Sequence, residues 1–222
     1  MTIAFNWFID FDETLATGSI SWAFEWAFPK LIREHRLRAD DALLAQAVLT
    51  AQERSSANLA PQAILHELFE TMGWDSSLEA ALFDDILTNY RPQLFDDALP
   101  FLTRLKALNR RVFVVSNNRL SRKFVKLLEI EEHITGIYTP EKYPGTQPKP
   151  HRSLWDCVLA ADDQVNASNS VFVGDDPWSD GAFADNCGLR CWIVDRAGRF
   201  SDNYNQQQYQ WVRSLLDIPL ID

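Results

Sequence analysis

The stretch that most constrains this chain is residues 3–15, IAFNWFIDFDETL. Its first part is an almost unbroken run of apolar and aromatic residues, which predicts a strand buried on both faces, as in a parallel sheet. The run ends abruptly in Asp10, Asp12 and Glu13. Because the chemistry of open α/β sheets lies at the carboxyl ends of the strands, these carboxylates are predicted at an active site.

The two closely spaced aspartates, Asp10 and Asp12, permit two interpretations. Carboxylates this close repel each other unless a cation lies between them, which favours a divalent metal ion. The alternative is that both are polar loop residues and that one of them caps the next helix. The pair alone does not decide between a metal site and a cap.

Composition and charge narrow the class of protein. With 222 residues, of which 46% are hydrophobic, the chain can form one substantial core and a large insertion. A net charge of -10 argues against a nucleic acid polymer or an anionic membrane as partner, because both bind clustered Lys and Arg. We find neither a leader-like start nor an apolar run near the roughly 18 residues of a membrane span, and expect a cytoplasmic location. Three cysteines without paired spacing, Cys157, Cys187 and Cys191, suit reduced thiols in or near the core.

Residues 15–91 contain helical patterns and no good strand candidate. Helices are predicted from Ser19 or Ser21 to His35 with an interruption or kink at Pro29, from Asp40 or Asp41 onward, from Pro61 to Met72, and from Asp75 or Ser76 to about Tyr90. The aromatic stripe from Trp22 to Phe28 suits either core packing or a wall that faces substrate. This segment is therefore predicted to be a helical block inserted after the first strand.

The rest of the chain alternates helix and strand, which is the signature of a parallel sheet covered by helices. Strands are predicted at 112–115, 136–139, 170–174 and 190–195, with helices at 100–108, 121–128 and 154–161 and another that begins at Pro177 with Asp176 as its N-cap. The polar stretch 201–210 is predicted to be a surface loop, and WVRSLLDI a short closing element. The fold class is α/β, with a Rossmann-like parallel sheet core.

Polar residues lie at the ends of three predicted strands and in the loop after a fourth. They are Asp10 and Asp12, then Ser116, then Lys149, and finally Asp175, Asp176 and Asp180. Phosphoryl transfer requires this set of groups: a nucleophile, a metal to offset negative charge, and donors for the phosphoryl oxygens.

Four segments resemble, in order, the four motifs of the haloacid dehalogenase-like (HAD) hydrolase superfamily. They are DFDETL, VVSNN, QPKPHRSLW and VGDDPWSD. The resemblance implies an α/β HAD core domain formed by residues 1–14 and 92–222, and an inserted all-α cap domain over residues 15–91. Two departures affect the details of the site: the fourth motif reads GDD, and His151 and Arg152 occupy a stretch that often carries proline.

The resemblance also implies a role for each matching residue. Asp10 would be the nucleophile that forms an aspartyl-phosphate, and Asp12 would protonate the leaving oxygen and then activate water. Ser116 and Lys149 complete the implied catalytic set, Thr14, Asn117 and Asp180 support it and bind phosphate, and Asp10, Asp12 (through its backbone carbonyl) and Asp175 ligate Mg²⁺. Asp180 would act through a metal-bound water or by orienting Lys149, whereas Asp176 suits an N-cap better than a ligand.

Asp12 favours one branch of the superfamily. The true dehalogenases lack an acid at that position because a halide leaves without a proton, whereas a phosphate ester needs one. The chain is therefore interpreted as a phosphatase for a small-molecule phosphate ester, similar to a nucleotide or to phosphoglycolate and sugar phosphates, acting as a monomer or homodimer. A phosphosugar mutase and a non-catalytic binding protein on the same fold are the alternatives.

Overall fold

Six parallel strands form the sheet in the described part of the chain. A computed structural model describes residues 5–54, 61–198, 200 and 209–220. The strands are β1 (Asn6–Ile9), β2 (Arg111–Val115), β3 (Gly136–Tyr138), β4 (Ser170–Gly174), β5 (Arg190–Val194) and β6 (Gln210–Val212). Their order across the sheet is β3-β2-β1-β4-β5-β6, and every neighbouring pair is parallel. This confirms the predicted α/β class.

The central strand β1 is buried on both faces, as its apolar sequence predicts. Trp7, Phe8 and Ile9 are fully buried, and β1 pairs with β2 on one side and β4 on the other. The Phe8 ring stacks on Phe113 with 4.9 Å between centroids and meets the Trp155 ring edge-on at 5.1 Å. The residues that follow β1 are therefore held at a fixed position in the middle of the sheet.

The helices fall close to their predicted positions. They are α1 (Ser19–Trp22), α2 (Phe28–His35), α3 (Asp41–Arg54), α4 (Pro61–Met72), α5 (Glu79–Asn89), α6 (Ala98–Ala107), α7 (Ser121–Leu127), α8 (Ser153–Ala161) and α9 (Ala182–Cys187). A π-helical turn over Ala23–Ala27 joins α1 to α2, and Pro29, which has no N–H to donate, lies in the first turn of α2. Gly73 ends α4 with a φ of 63°.

The chain divides into two compact units, Met1–Thr17 with Gln93–Asp222, and Gly18–Pro92. The resemblance implies a domain boundary after residue 14, which stays a prediction. In the structure, Thr17 N donates to Gln93 O at 2.8 Å, and Ala16 forms an antiparallel bridge with Leu94. These hydrogen bonds hold residues 15–17 in the first unit. That the second unit acts as a cap stays a prediction.

Among the described residues, the second unit contains helices α1 to α5. Phe28 and Trp74 are buried in this unit, with their rings packed edge-on at 6.5 Å, whereas Trp26 is 55% exposed. The aromatic stripe is therefore divided between the core of the unit and its surface. No helix in the described ranges is long and apolar enough to cross a membrane.

Two sequence predictions near the C-terminus need correction. The sequence did not predict β6, a three-residue edge strand whose first residue, Gln210, is exposed. Residues 201–208 of the predicted surface loop lie outside the described residues. The loop prediction is wrong at Gln210, because that residue pairs with Trp192 of β5.

The cysteines are confirmed as unpaired core or near-core residues, with Cys187 and Cys191 buried and Cys157 partly buried.

Helix α6 offers a matched test of the core. Leu102 is fully buried and Leu99 is 44% exposed on the same helix. We expect Leu102→Ala to lower the free energy of unfolding by about 2–5 kcal/mol because it leaves a cavity. Leu99→Ala should change it by less than about 0.5 kcal/mol. Urea unfolding followed by circular dichroism measures both, and similar losses in the two variants would contradict this assignment of the core.

Candidate active site

The nucleophile predicted from sequence lies directly after β1. Asp10 is 6% exposed, and its N–H donates to Val173 O at 2.9 Å, which continues the pairing of β1 with β4. The chain then reverses at once: Glu13 has a φ of 59°, and its N–H donates to Ala16 O at 2.7 Å. The half-buried Asp12 lies on this turn. The sheet thus fixes Asp10, and a tight turn fixes Asp12.

Lys149 connects two of the predicted acids. Its side chain is buried, and Nζ donates to Asp10 Oδ1 at 2.6 Å and to Asp180 Oδ1 at 2.5 Å. Burial opposes the charged ammonium, but the two carboxylates outweigh it and raise the pKa of Lys149 well above its ordinary value. Lys149 is therefore a permanent cation between the carboxylates of Asp10 and Asp180.

Asn117 holds the loop that carries Lys149. Its Oδ1 accepts from Lys149 N at 2.7 Å, and its Nδ2 donates to Lys149 O at 3.1 Å. The sequence grouped Asn117 with the phosphate-binding residues because of the backbone amides near it. The structure shows its side chain bound to the backbone of Lys149. The segment after β2 is therefore joined directly to the loop that carries Lys149.

Ser116 and Asn118 flank Asn117 at the end of β2. Ser116 is buried, and its Oγ accepts from Asn118 N at 3.0 Å, which leaves the hydroxyl proton for another acceptor. The Asn118 side chain donates from Nδ2 to Asp12 Oδ1 at 3.2 Å. Asn118 therefore joins the predicted acid–base residue to the segment that carries Ser116.

The acids after β4 divide into distinct structural roles. Asp180 Oδ2 accepts from Asp175 N at 3.0 Å and from Asp176 N at 3.2 Å, while Oδ1 binds Lys149. Asp176 is confirmed as the N-cap of the helical segment that begins at Pro177, because its Oδ1 accepts from Trp178 N at 2.8 Å and from Ser179 N at 3.1 Å. Of the two roles predicted for Asp180, the geometry matches the orientation of Lys149.

Gly174 makes this arrangement possible. It is the last residue of β4, and a Cβ built on it would overlap the Asp180 side chain. Only a residue without a side chain lets the Asp180 carboxylate lie against the strand end and reach the amides beyond it.

Electrostatics distinguish Asp10 from an ordinary aspartate. Burial raises the pKa of Asp10 well above its ordinary value, Lys149 opposes that rise, and the charges of Asp180, Asp12 and Asp175 add to it. Carboxylate oxygens of Asp10, Asp175 and Asp180 lie within 4.8 Å of one another, in an arrangement that could hold a metal ion. Negative charge thus exceeds the charge that Lys149 supplies.

Thr14 is buried, as its predicted place in the loop requires. Its Oγ1 has no hydrogen-bond partner among the described residues, while its carbonyl accepts from Arg196 Nη2 at 2.9 Å. The supporting role of Thr14 stays a prediction.

Asn118 and Arg196 are the polar contacts that sequence reasoning missed. Asn118 lay within the VVSNN segment but received no role, and Arg196 follows the CWIVD strand directly. The strand-end rule that selected Asp10 and Ser116 would also have pointed to Arg196, had it been applied to β5.

Comparisons with known structures agree with this architecture. The magnesium-bound structure of YfnB from Bacillus subtilis, described as a HAD-hydrolase, is 16% identical over 96% of each chain, with a TM-score of 0.69. A HAD phosphatase from Thermococcus onnurineus is 17% identical over 96% of this chain and 94% of its own, with a TM-score of 0.60. A 2-haloacid dehalogenase from Pseudomonas syringae is 21% identical over 96% and 95%, with a TM-score of 0.55. At these identities the likeness shows the fold.

The sequence comparison identifies the family. No curated protein sequence gives a match. The sequence model described as haloacid dehalogenase-like hydrolase matches residues 46–194, which include Ser116, Lys149, Asp175 and Asp180 and begin after Asp10. Because this match covers well over half of the 222 residues, the chain belongs to the haloacid dehalogenase-like hydrolases.

Proposed function

We propose that this hydrolase is a Mg²⁺-dependent phosphatase that cleaves a small-molecule phosphate monoester through an aspartyl-phosphate on Asp10. The observation that supports this most is the position of the Lys149 ammonium, which binds the buried carboxylates of Asp10 and Asp180 at 2.6 and 2.5 Å. A fixed cation beside a buried nucleophile is suited to a substrate that brings negative charge to the same place.

The proposed reaction has two displacements. Because Lys149 donates to Asp10 Oδ1, we assign the attack on phosphorus to Oδ2. The new Oδ2–P bond forms as the bond to the leaving oxygen breaks, and Asp12 gives its proton to that oxygen. In the second step Asp12 takes a proton from water, the water oxygen attacks phosphorus, and the bond to Asp10 breaks to release inorganic phosphate.

Asp12 favours a phosphate ester over a halide as the leaving group. An alkoxide is a poor leaving group without a proton, whereas a halide requires none. Asn118 Nδ2 donates to Asp12 Oδ1 at 3.2 Å, which holds this carboxyl beside the segment that carries Ser116. The Ser116 hydroxyl would donate its proton to a phosphoryl oxygen, since its Oγ already accepts from Asn118 N.

The donor set fits a divalent cation. The side chains of Asp10 and Asp175 and the backbone carbonyl of Asp12 would hold the ion, while Asp180 binds Lys149 and the amides after Gly174. Oxygen-only ligands favour Mg²⁺. When bound, Mg²⁺ would supply positive charge against the phosphoryl oxygens.

The proposed substrate class rests on the resemblance of the sequence to small phosphatases of the superfamily. We propose a nucleotide or a phosphoglycolate-like or sugar phosphate-like monoester, with residues 15–91 acting as the cap that selects the leaving group. A cytoplasmic location and a monomeric or homodimeric state remain predictions.

The first test is hydrolysis of an aryl phosphate. With Mg²⁺ we expect turnover that EDTA abolishes, and Asp10→Asn should lower kcat by roughly 10³-fold or more because an amide is a poor nucleophile. Asp163→Asn, which removes an exposed carboxylate, should leave the rate unchanged. Halide release from a 2-haloacid without phosphatase activity would instead assign the chain to dehalogenation.

Gly174→Ala tests the support of Lys149 by Asp180. The added methyl group overlaps the Asp180 side chain and must displace it, so we expect kcat to fall by roughly 10–100-fold. The matched control is Gly188→Ala, which introduces strain at a φ of 69° but brings no close contact. It should lower stability by about 1 kcal/mol and leave kcat unchanged. Equal effects on kcat would contradict this role of Gly174.

The raised pKa of Asp10 predicts a pH-dependent stability. Between the ordinary value of 3.8 and the raised value, the folded chain binds more protons than the unfolded chain, so stability falls as pH rises. In EDTA, the free energy of unfolding of Asp10→Asn relative to that of wild type should therefore be higher at pH 7 than at low pH.

This gain should disappear below pH 3.8, where Asp10 becomes protonated in both the folded and the unfolded state. Asp163→Asn, which makes the same change of net charge at an exposed position, is the control. Urea unfolding at several pH values gives the comparison, and a difference between Asp10→Asn and wild type that does not change with pH would contradict the raised pKa of Asp10.

A further inference from the structure

Arg196 binds the turn that follows the proposed nucleophile. It lies two residues beyond the end of β5. Its Nη1 donates to Glu13 O at 2.9 Å, and its Nη2 donates to Thr14 O at 2.9 Å and to Asp97 Oδ1 at 2.7 Å. The two carbonyls belong to the residues directly after Asp12. One guanidinium therefore holds the backbone next to the proposed acid–base residue.

This contact crosses the sheet. Strand β4 lies between β5 and β1, so Arg196 reaches past one strand end to the turn after another. Its guanidinium also lies over the Phe95 ring, 4.0 Å from the centroid. A planar fork that stacks on a ring and donates to three acceptors suits arginine, because the lysine ammonium is a point charge on a flexible stem.

Asp97 fixes Arg196 from the other side. Its Oδ1 accepts from Arg196, and its Oδ2 accepts from Ser214 Oγ and Leu215 N, both at 2.8 Å. Burial acts to raise the pKa of Asp97, but the hydrogen bonds and the charge of Arg196 outweigh burial and leave that pKa below its ordinary value. Asp97 is thus an ionised anchor just before α6.

The turn that Arg196 holds has a strained backbone. Glu13 is in the left-handed region at a φ of 59°, which is unfavourable for a residue with a side chain. Such a conformation persists only where several contacts with the surrounding structure hold it in place. Here the hydrogen bond from Glu13 N to Ala16 O and the two bonds from Arg196 do so.

We propose that Arg196 is a positioning residue that fixes this turn and so places the carboxyl of Asp12 for proton transfer. The inference rests on the proposed phosphatase function. Among the described residues, Arg196 donates to Glu13, Thr14 and Asp97, so its loss acts on the turn that carries Asp12. The nucleophile remains held by the pairing of β1 with β4.

The leaving group gives a specific readout. An alkoxide needs the proton from Asp12 far more than a nitrophenolate does, because its conjugate acid is much weaker. Displacing Asp12 therefore lowers the turnover of alkyl phosphates more than that of nitrophenyl phosphate. The ratio of the two kcat/KM values does not depend on how much of the protein is folded, so it separates positioning from a loss of stability.

The experiment compares Arg196→Gln and Arg196→Lys with Arg213→Gln, using nitrophenyl phosphate and an alkyl phosphate with Mg²⁺. Arg213 is a matched control, since its exposed side chain donates from Nη1 to a backbone carbonyl, that of Asp195, at 3.0 Å. We expect Arg196→Gln to lower the alkyl-to-aryl ratio of kcat/KM by about tenfold or more. Arg196→Lys should fall between Arg196→Gln and wild type, and Arg213→Gln should keep the wild-type ratio.

The outcomes separate the two proposals. If wild type hydrolyses both esters and Arg196→Gln slows both equally, Arg196 has only a structural role and the inference is overturned. The same conclusion follows if Arg213→Gln shifts the ratio as much as Arg196→Gln does. If wild type hydrolyses neither ester, the proposed function fails, and the role of Arg196 fails with it.

Discussion

The buried ammonium of Lys149 is the interaction on which the site depends. Removing an ion from water costs several kcal/mol, which only close pairing offsets. Lys149 pairs with Asp10, 139 residues away along the chain, and with Asp180, 31 residues away. No local segment can bring these three side chains together, so their ion pairs form only after β1, β4 and the loop before α8 have come together. Folding of the sheet and assembly of the site are therefore one event.

Hydrogen bonds between side chains and the main chain fix the position of Lys149 and of its partner Asp180. Asn117 binds the backbone of Lys149 at both N–H and carbonyl, and Asp180 accepts from two amides beyond Gly174. In each case a side chain from one segment binds the main chain of another, which cannot move without the whole loop. This fixes the position of Lys149 more firmly than a pair of flexible side chains could.

Much of the site could be predicted because strand ends are encoded locally. Apolar runs predicted β1, β2 and β4, and the parallel arrangement then predicted that Asp10, Ser116 and Asp175 share an edge. The role of Arg196 could not be read in this way, since the turn it binds lies more than 180 residues away in sequence. Strand β6 was missed because three residues at a sheet edge carry too little periodicity. The boundary at residues 15–17 depends on hydrogen bonds to a distant segment, which no local pattern encodes.

Lys149 and Arg196 bind different kinds of acceptor, and this explains why one is a lysine and the other an arginine. Lys149 lies between the carboxylates of Asp10 and Asp180, where a compact ammonium can bind two acids from different segments. Arg196 binds two successive carbonyls and Asp97, an arrangement that requires several donors in one plane. The first cation reduces a buried negative charge, which still exceeds what one lysine can offset. The second cation leaves that charge unchanged and holds a strained turn in place. Charge and position at this site are therefore controlled by separate residues, and a substitution can alter one without the other.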